Sequence, residues 1–174
     1  MISFLCFQGV GQVLNLSRMT ATLCNGKTSL VPELFVVSPL RRSVQTALLA
    51  FPYNTPQNNN DWVCHGGLME RTSAKADEIA SAHALQSDFP GVDYDTHYQR
   101  GRYSFYDQPL EESKTDLLQR TDDFLNWLRG RMERVVVVSS HATWLQSFCG
   151  YTLGIKPGLD MFRPGEMRAA AIKF

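Results

Sequence analysis

Apolar and polar positions along the chain alternate between short apolar runs and longer stretches of helical period. Leu34-Phe35-Val36-Val37 predicts a strand. After Ser38-Pro39, apolar residues at Leu40, Val44, Ala47, Leu48 and Phe51 predict a helix, with Ser38 at the N-cap and Pro39 at the first helical position. Val135 to Val138 is apolar at every position rather than at alternate ones, so it predicts an interior parallel strand covered on both faces. That strand leaves through Ser139-Ser140-His141 into an amphipathic stretch carrying Trp144, Leu145, Phe148, Cys149 and Leu153. Ahead of it, Leu117, Leu118, Thr121, Phe124, Leu125, Leu128 and Met132 mark one face of a crossover helix of about 18 residues. Weaker patterns predict a strand at Asp61 to Cys64, a helix over Ala74 to Leu85, a surface loop over Thr55 to Asn60 and a last strand over Arg168 to Phe174. Strands alternating with helices indicate an α/β domain with a largely parallel sheet, one domain spanning residues 1–174.

Composition narrows the class of function. Seventeen Lys and Arg balance seventeen Asp and Glu, so the chain lacks the long-range positive potential of a general nucleic-acid or anionic-membrane binder. No apolar run approaches the roughly 18 residues that span a bilayer, and Met1 to Phe7 has no basic residue before it, which points to a cytoplasmic protein. Cys6, Cys24, Cys64 and Cys149 are scattered without a C-x-x-C pair and read as reduced thiols.

In open α/β sheets ligands sit beyond the carboxyl ends of the strands, where helix N-termini offer unpaired N–H groups. Two segments put unusual residues there. Arg41 and Arg42 lie in the first turn of the helix after Leu34-Val37, where a cation opposes the macrodipole. An anion held between arginine and helix end relieves that conflict, and phosphate oxygens suit the planar guanidinium fork; pairing with a surface carboxylate is the other reading. His141, at the exit of an all-apolar strand, can donate to an anion or shuttle a proton near neutral pH. Glu70 follows the Asp61 to Cys64 strand through Gly66-Gly67, expected to be a flexible pair, and a carboxyl beside a phosphate can protonate a leaving alkoxide.

These motifs resemble a known family. Ser38 to Ala47 resembles the SPLxRxxQTA segment of the histidine phosphatase superfamily, the phosphoglycerate mutase-like group. Val135 to His141 resembles its VVVVSH segment, Leu68-Met69-Glu70 its LxE segment, and Phe162 to Arg168 the FxNxExR lead into its last strand. The resemblance implies a three-layer α/β/α fold and phosphomonoester hydrolysis through a phosphohistidine. It also implies Arg42 on the phosphoryl oxygens, His141 stabilising them, and Glu70 as general acid and base. Arg41 does not occupy the family position. The implied partner is phosphate or a phosphorylated small molecule, and no metal or organic cofactor is implied.

The family's opening strand ends in Arg-His-Gly, whose histidine accepts the phosphoryl group; that triplet is not found here. Phe7-Gln8-Gly9 has a superficially similar place, but the glutamine amide is no nucleophile. Gly9, Gln12 and Leu16 instead match the GxxQAxxL helix that follows the motif, so the domain is expected to be shortened at its amino end. An inactive pseudophosphatase that binds an anion or a protein is the alternative function. His65, in Cys64-His65-Gly66-Gly67, is a weak substitute nucleophile on the wrong strand. Cys64 and Arg71 are one residue too far apart for a cysteine-phosphatase loop, and His83 and His97 read as solvated.

Overall fold

The computed structural model describes residues 7–24, 31–52, 61–71, 80–94, 112–155 and 162–174. Its organising element is strand β1 (Leu34–Val37), all four residues of which are buried. Alternate side chains leave a strand on opposite faces, so β1 serves two cores at once. β2 (Trp62–Cys64) and β3 (Val136–Ser139) flank it in parallel, giving the order β2-β1-β3. The register pairs Phe35 with Trp62, and Val37 with both Cys64 and Ser139.

On one face Phe35 and Val37 meet Val13 and Leu16 of α1 (Phe7–Cys24), Val44, Ala47 and Ala50 of α2 (Arg41–Ala50), and Leu85 of α3 (Ala82–Asp88). Phe35 stacks on Trp62, ring centroids 4.3 Å apart. On the other face Leu34 and Val36 meet Leu117 and Phe124 of α4 (Lys114–Arg129) and Trp144 of α5 (Ala142–Ser147), which continues as a π turn over Phe148–Thr152. Helices on both faces of a parallel sheet make the three-layer α/β/α arrangement. Among the described residues no helix is long and apolar enough to cross a membrane.

Several expectations are corrected by long-range packing. β3 is parallel as predicted, but it runs one residue later, from Val136 to Ser139. It lies at the edge of the described sheet rather than inside it, and its residues are only half-buried. Among the described residues no strand pairs with its outer edge. Arg168 to Phe174 is not a strand, because no described strand pairs with it. The crossover helix ends at Gly130, leaving Met132 beyond it and 93% exposed. Ser38 is not the N-cap of α2; Leu40 is, without a side-chain bond. The Ser38 hydroxyl does accept from the Leu40 N–H at 3.4 Å, but it is shared with His141. Of the helix expected over Ala74 to Leu85, residues 74–79 lie outside the described residues, as do the Thr55 to Asn60 loop and His97; the described part is helical from Ala82 to Asp88.

Candidate functional site

Because the register sets Val37 beside Ser139, β1 and β3 end side by side. Serines lock that junction. The Ser38 N–H donates to the Ser139 carbonyl at 2.9 Å, Ser43 Oγ donates to the same carbonyl at 2.8 Å, and Ser139 Oγ donates to the Ser43 carbonyl at 3.0 Å. These bonds hold the first turn of α2 against the end of β3, and so Arg42 against His141.

Arg42 Nη2 lies 3.2 Å from His141 Nδ1, and His141 Nε2 lies 2.8 Å from Ser38 Oγ. A guanidinium only donates, so Nδ1 must be the acceptor and the proton sits on Nε2, donated to Ser38 Oγ. The imidazole is therefore neutral. Its pKa is pushed down to about 3, first by burial and then by the charges of Arg42 and Arg120. At 7% exposure His141 is thus held neutral near pH 7 in this arrangement. Arg41 takes the other course, pairing with Asp88 at 2.7 Å on the outside of α2.

Glu70 is carried by a short 3-10 turn, Gly66–Leu68. The two glycines are buried and packed, not a flexible pair. A Cβ on Gly67 would stand 2.8 Å from the His65 ring, and the Gly67 N–H donates to His65 Nδ1 at 3.0 Å. Glu70 Oε1 accepts from the Arg71 N–H at 2.8 Å, and Oε2 accepts from the Thr143 N–H at 3.4 Å. The carboxylate thus serves the first turn of α5, whose N-cap His141 makes no side-chain cap bond.

A cavity of about 400 Å³ opens on Arg42, Glu70 and His141 together. Its other walls come from α1, α2, β3 and the Phe162–Arg168 segment. Of the other described histidines, His65 packs against Phe124 and Trp127, and His83 is exposed on α3; neither lines the cavity. Burial pushes the Cys64 thiol well above its ordinary pKa, which removes it as a thiolate, and Arg71 Nε donates to the Glu112 carbonyl at 3.0 Å. Gln8 falls within α1, not at a strand exit. Among the described residues no group of three or more His, Cys, Asp and Glu could hold a metal.

Sequence reasoning missed the serine lock and the residues that grip the Glu70 turn, Arg120 and Glu112. One signal was present: Arg120 falls between Leu117 and Phe124 on the apolar stripe of α4, where a cation needs a buried partner.

A sequence profile of the Histidine phosphatase superfamily (branch 1) matches residues 18–172. No curated protein matches the sequence. Among solved structures, the ecdysone phosphate phosphatase from Bombix mori, in complex with tungstate, superposes with a TM-score of 0.62 at 16% identity over 98% of this chain. The chain spans 64% of that protein's length. An Escherichia coli protein assigned as an alpha-ribazole-5'-P phosphatase gives 0.58 at 18% identity, covering 92% of this chain and 74% of that one. The mycobacterial glucosyl-3-phosphoglycerate phosphatase complexed with VO3 gives 0.53 at 17%, covering 88% and 71%. At such identities the superpositions speak for the fold, and the profile for the family. A parallel sheet between two helical layers, a serine-arginine segment after β1 and a histidine after β3 are what this profile spans, and the chain belongs to the histidine phosphatase superfamily.

Proposed function

We propose that the chain binds the phosphoryl group of a phosphate monoester between Arg42 and His141, with Glu70 as proton donor and acceptor, and acts in phosphomonoester hydrolysis. The observation that carries this reading is the 3.2 Å contact between a guanidinium and a neutral imidazole on one cavity wall. A tetrahedral dianion entering there replaces that contact: Arg42 donates to two oxygens, and the anion favours a proton on His141 Nδ1. The imidazole then becomes a second cationic donor to the charge that develops on the phosphoryl oxygens. Glu70, at the rim, is suited to protonate the departing alkoxide. Structural neighbours holding tungstate and VO3 support an oxyanion as ligand.

A specific observation favours a second reading. His141 is the one imidazole lining the cavity among the described residues, and it is engaged at both nitrogens. A two-step transfer needs a further nucleophile, so the same pocket also suits an anion-binding module without turnover. Hydrolysis of 3-phosphoglycerate and p-nitrophenyl phosphate by the 174-residue chain, with acid-labile phosphohistidine mapped by peptide, separates the two. Turnover lost in His141→Ala, with phosphate trapped on another histidine, supports the enzyme. No turnover with phosphate still bound supports the module.

A further inference from the structure

The turn before Glu70 is held in a way that its own sequence does not require. Arg120, 1% exposed, reaches from α4 and donates through Nη1 to the Gly67 carbonyl at 2.9 Å and the Met69 carbonyl at 2.7 Å. Its Nε and Nη2 form a two-point pair with Glu112 at 2.8 and 2.6 Å. Ser140 Oγ, one residue before His141, donates to the carbonyl in between, that of Leu68, at 2.7 Å. Three consecutive carbonyls leading into Glu70 are thus each capped by a side chain from another element.

We propose that Arg120, oriented by Glu112, and Ser140 are positioning residues that hold the Gly67–Met69 backbone so that the Glu70 carboxyl faces the oxyanion pocket. A buried guanidinium is costly unless every donor is used in good geometry. Packing alone would be met by an apolar side chain, whereas this arrangement fixes backbone direction at three points next to a carboxyl whose task depends on aim. Ser140 ties the aim of Glu70 to the strand exit that carries His141, so the proton donor and the phosphate site move as one unit. The inference rests on the proposed role of Glu70, and the test keeps the two apart.

Compare the native chain with Arg120→Met, Ser140→Ala and Glu70→Gln on p-nitrophenyl phosphate, whose leaving group needs no proton, and on glycerol 2-phosphate, whose leaving group does. The expected result is a kcat/KM on glycerol 2-phosphate about tenfold or more lower in Arg120→Met and Ser140→Ala. The kcat/KM for p-nitrophenyl phosphate, which excludes the later step in which Glu70 accepts a proton, should change less than about threefold, and each double variant with Glu70→Gln should lose no more than Glu70→Gln alone. Equal losses of kcat/KM on both substrates, or losses that multiply with Glu70→Gln, overturn the proposal.

A native chain that turns over neither substrate defeats the functional reading alone. Positioning is then read from the Thr143 amide, which faces the Glu70 carboxylate. Its NMR resonance should move between the native chain and Glu70→Gln. A move of that resonance toward its Glu70→Gln position in folded Ser140→Ala and Arg120→Met supports positioning, and an unmoved resonance overturns it. Ser140→Ala leaves the Arg120–Glu112 pair intact and serves where Arg120→Met does not fold.

Discussion

β1 and β3 are both four residues long, parallel and almost wholly apolar, yet they live in different surroundings. β1 has a strand on each side and a helical layer on each face, and its side chains are at most 1% exposed. β3 has one strand neighbour among the described residues, Val137, Val138 and Ser139 line the cavity, and all four of its residues are half-buried. β2 at the opposite edge fares better, because Asp93 bridges to Val63 beyond it. An apolar pattern therefore states what cover a strand needs, not what cover it receives. The candidate site sits on this seam: its guanidinium follows the closed strand and its imidazole follows the open one.

Truncation should separate the two sides most strongly. Val36→Ala on β1 removes a fully buried side chain and should cost about 2–3 kcal/mol in urea unfolding. Val137→Ala, on the half-buried strand, should cost about 1 kcal/mol. Similar costs at the two positions would erase the distinction drawn between them.

The seam should also carry a pH signature. His141 titrates near 3 in the fold but near 6.5 when unfolded, so between those values the unfolded chain binds the extra proton. Stability present above pH 6.5 is then lost as pH falls toward 4, with a slope of about one proton and a total of a few kcal/mol. His141→Gln should lack this component, which subtracting its stability curve from that of the native chain isolates. A difference that stays flat from pH 7 to 4 would contradict the burial argument.

The smallest effect belongs to the outer arginine of the pair. Arg41→Ala removes an ion pair with Asp88 that is open to solvent on the aspartate side and should shift stability by about 1 kcal/mol, leaving oxyanion affinity as it was. A loss of affinity equal to that of Arg42→Ala would undo the separation of the two arginines.

Much of the layered fold was legible because apolar runs at 34–37 and 135–138, each followed by a helical period, leave few topologies. The meeting of Arg42 with His141 was legible for the same reason, since adjacent parallel strands release their chains at one end of the sheet. What sequence missed depends on partners across space. Gly66-Gly67 reads as a hinge until the His65 ring is seen lying against Gly67. Ser38 reads as an N-cap until His141 is seen to occupy its hydroxyl. Arg168 to Phe174 has the composition of a strand, but a ladder needs a neighbour, and no local pattern supplies one.

The central claim is that Arg42 and His141 form a single oxyanion site. Its most direct test is calorimetric titration with sulfate, whose charge is constant between pH 5 and 7, in buffers of different ionisation enthalpy. Binding should be accompanied by proton uptake, weaken as pH rises, and fall about tenfold or more in Arg42→Ala. Equal affinity in Arg42→Ala and the native chain, with no protons exchanged, would contradict it.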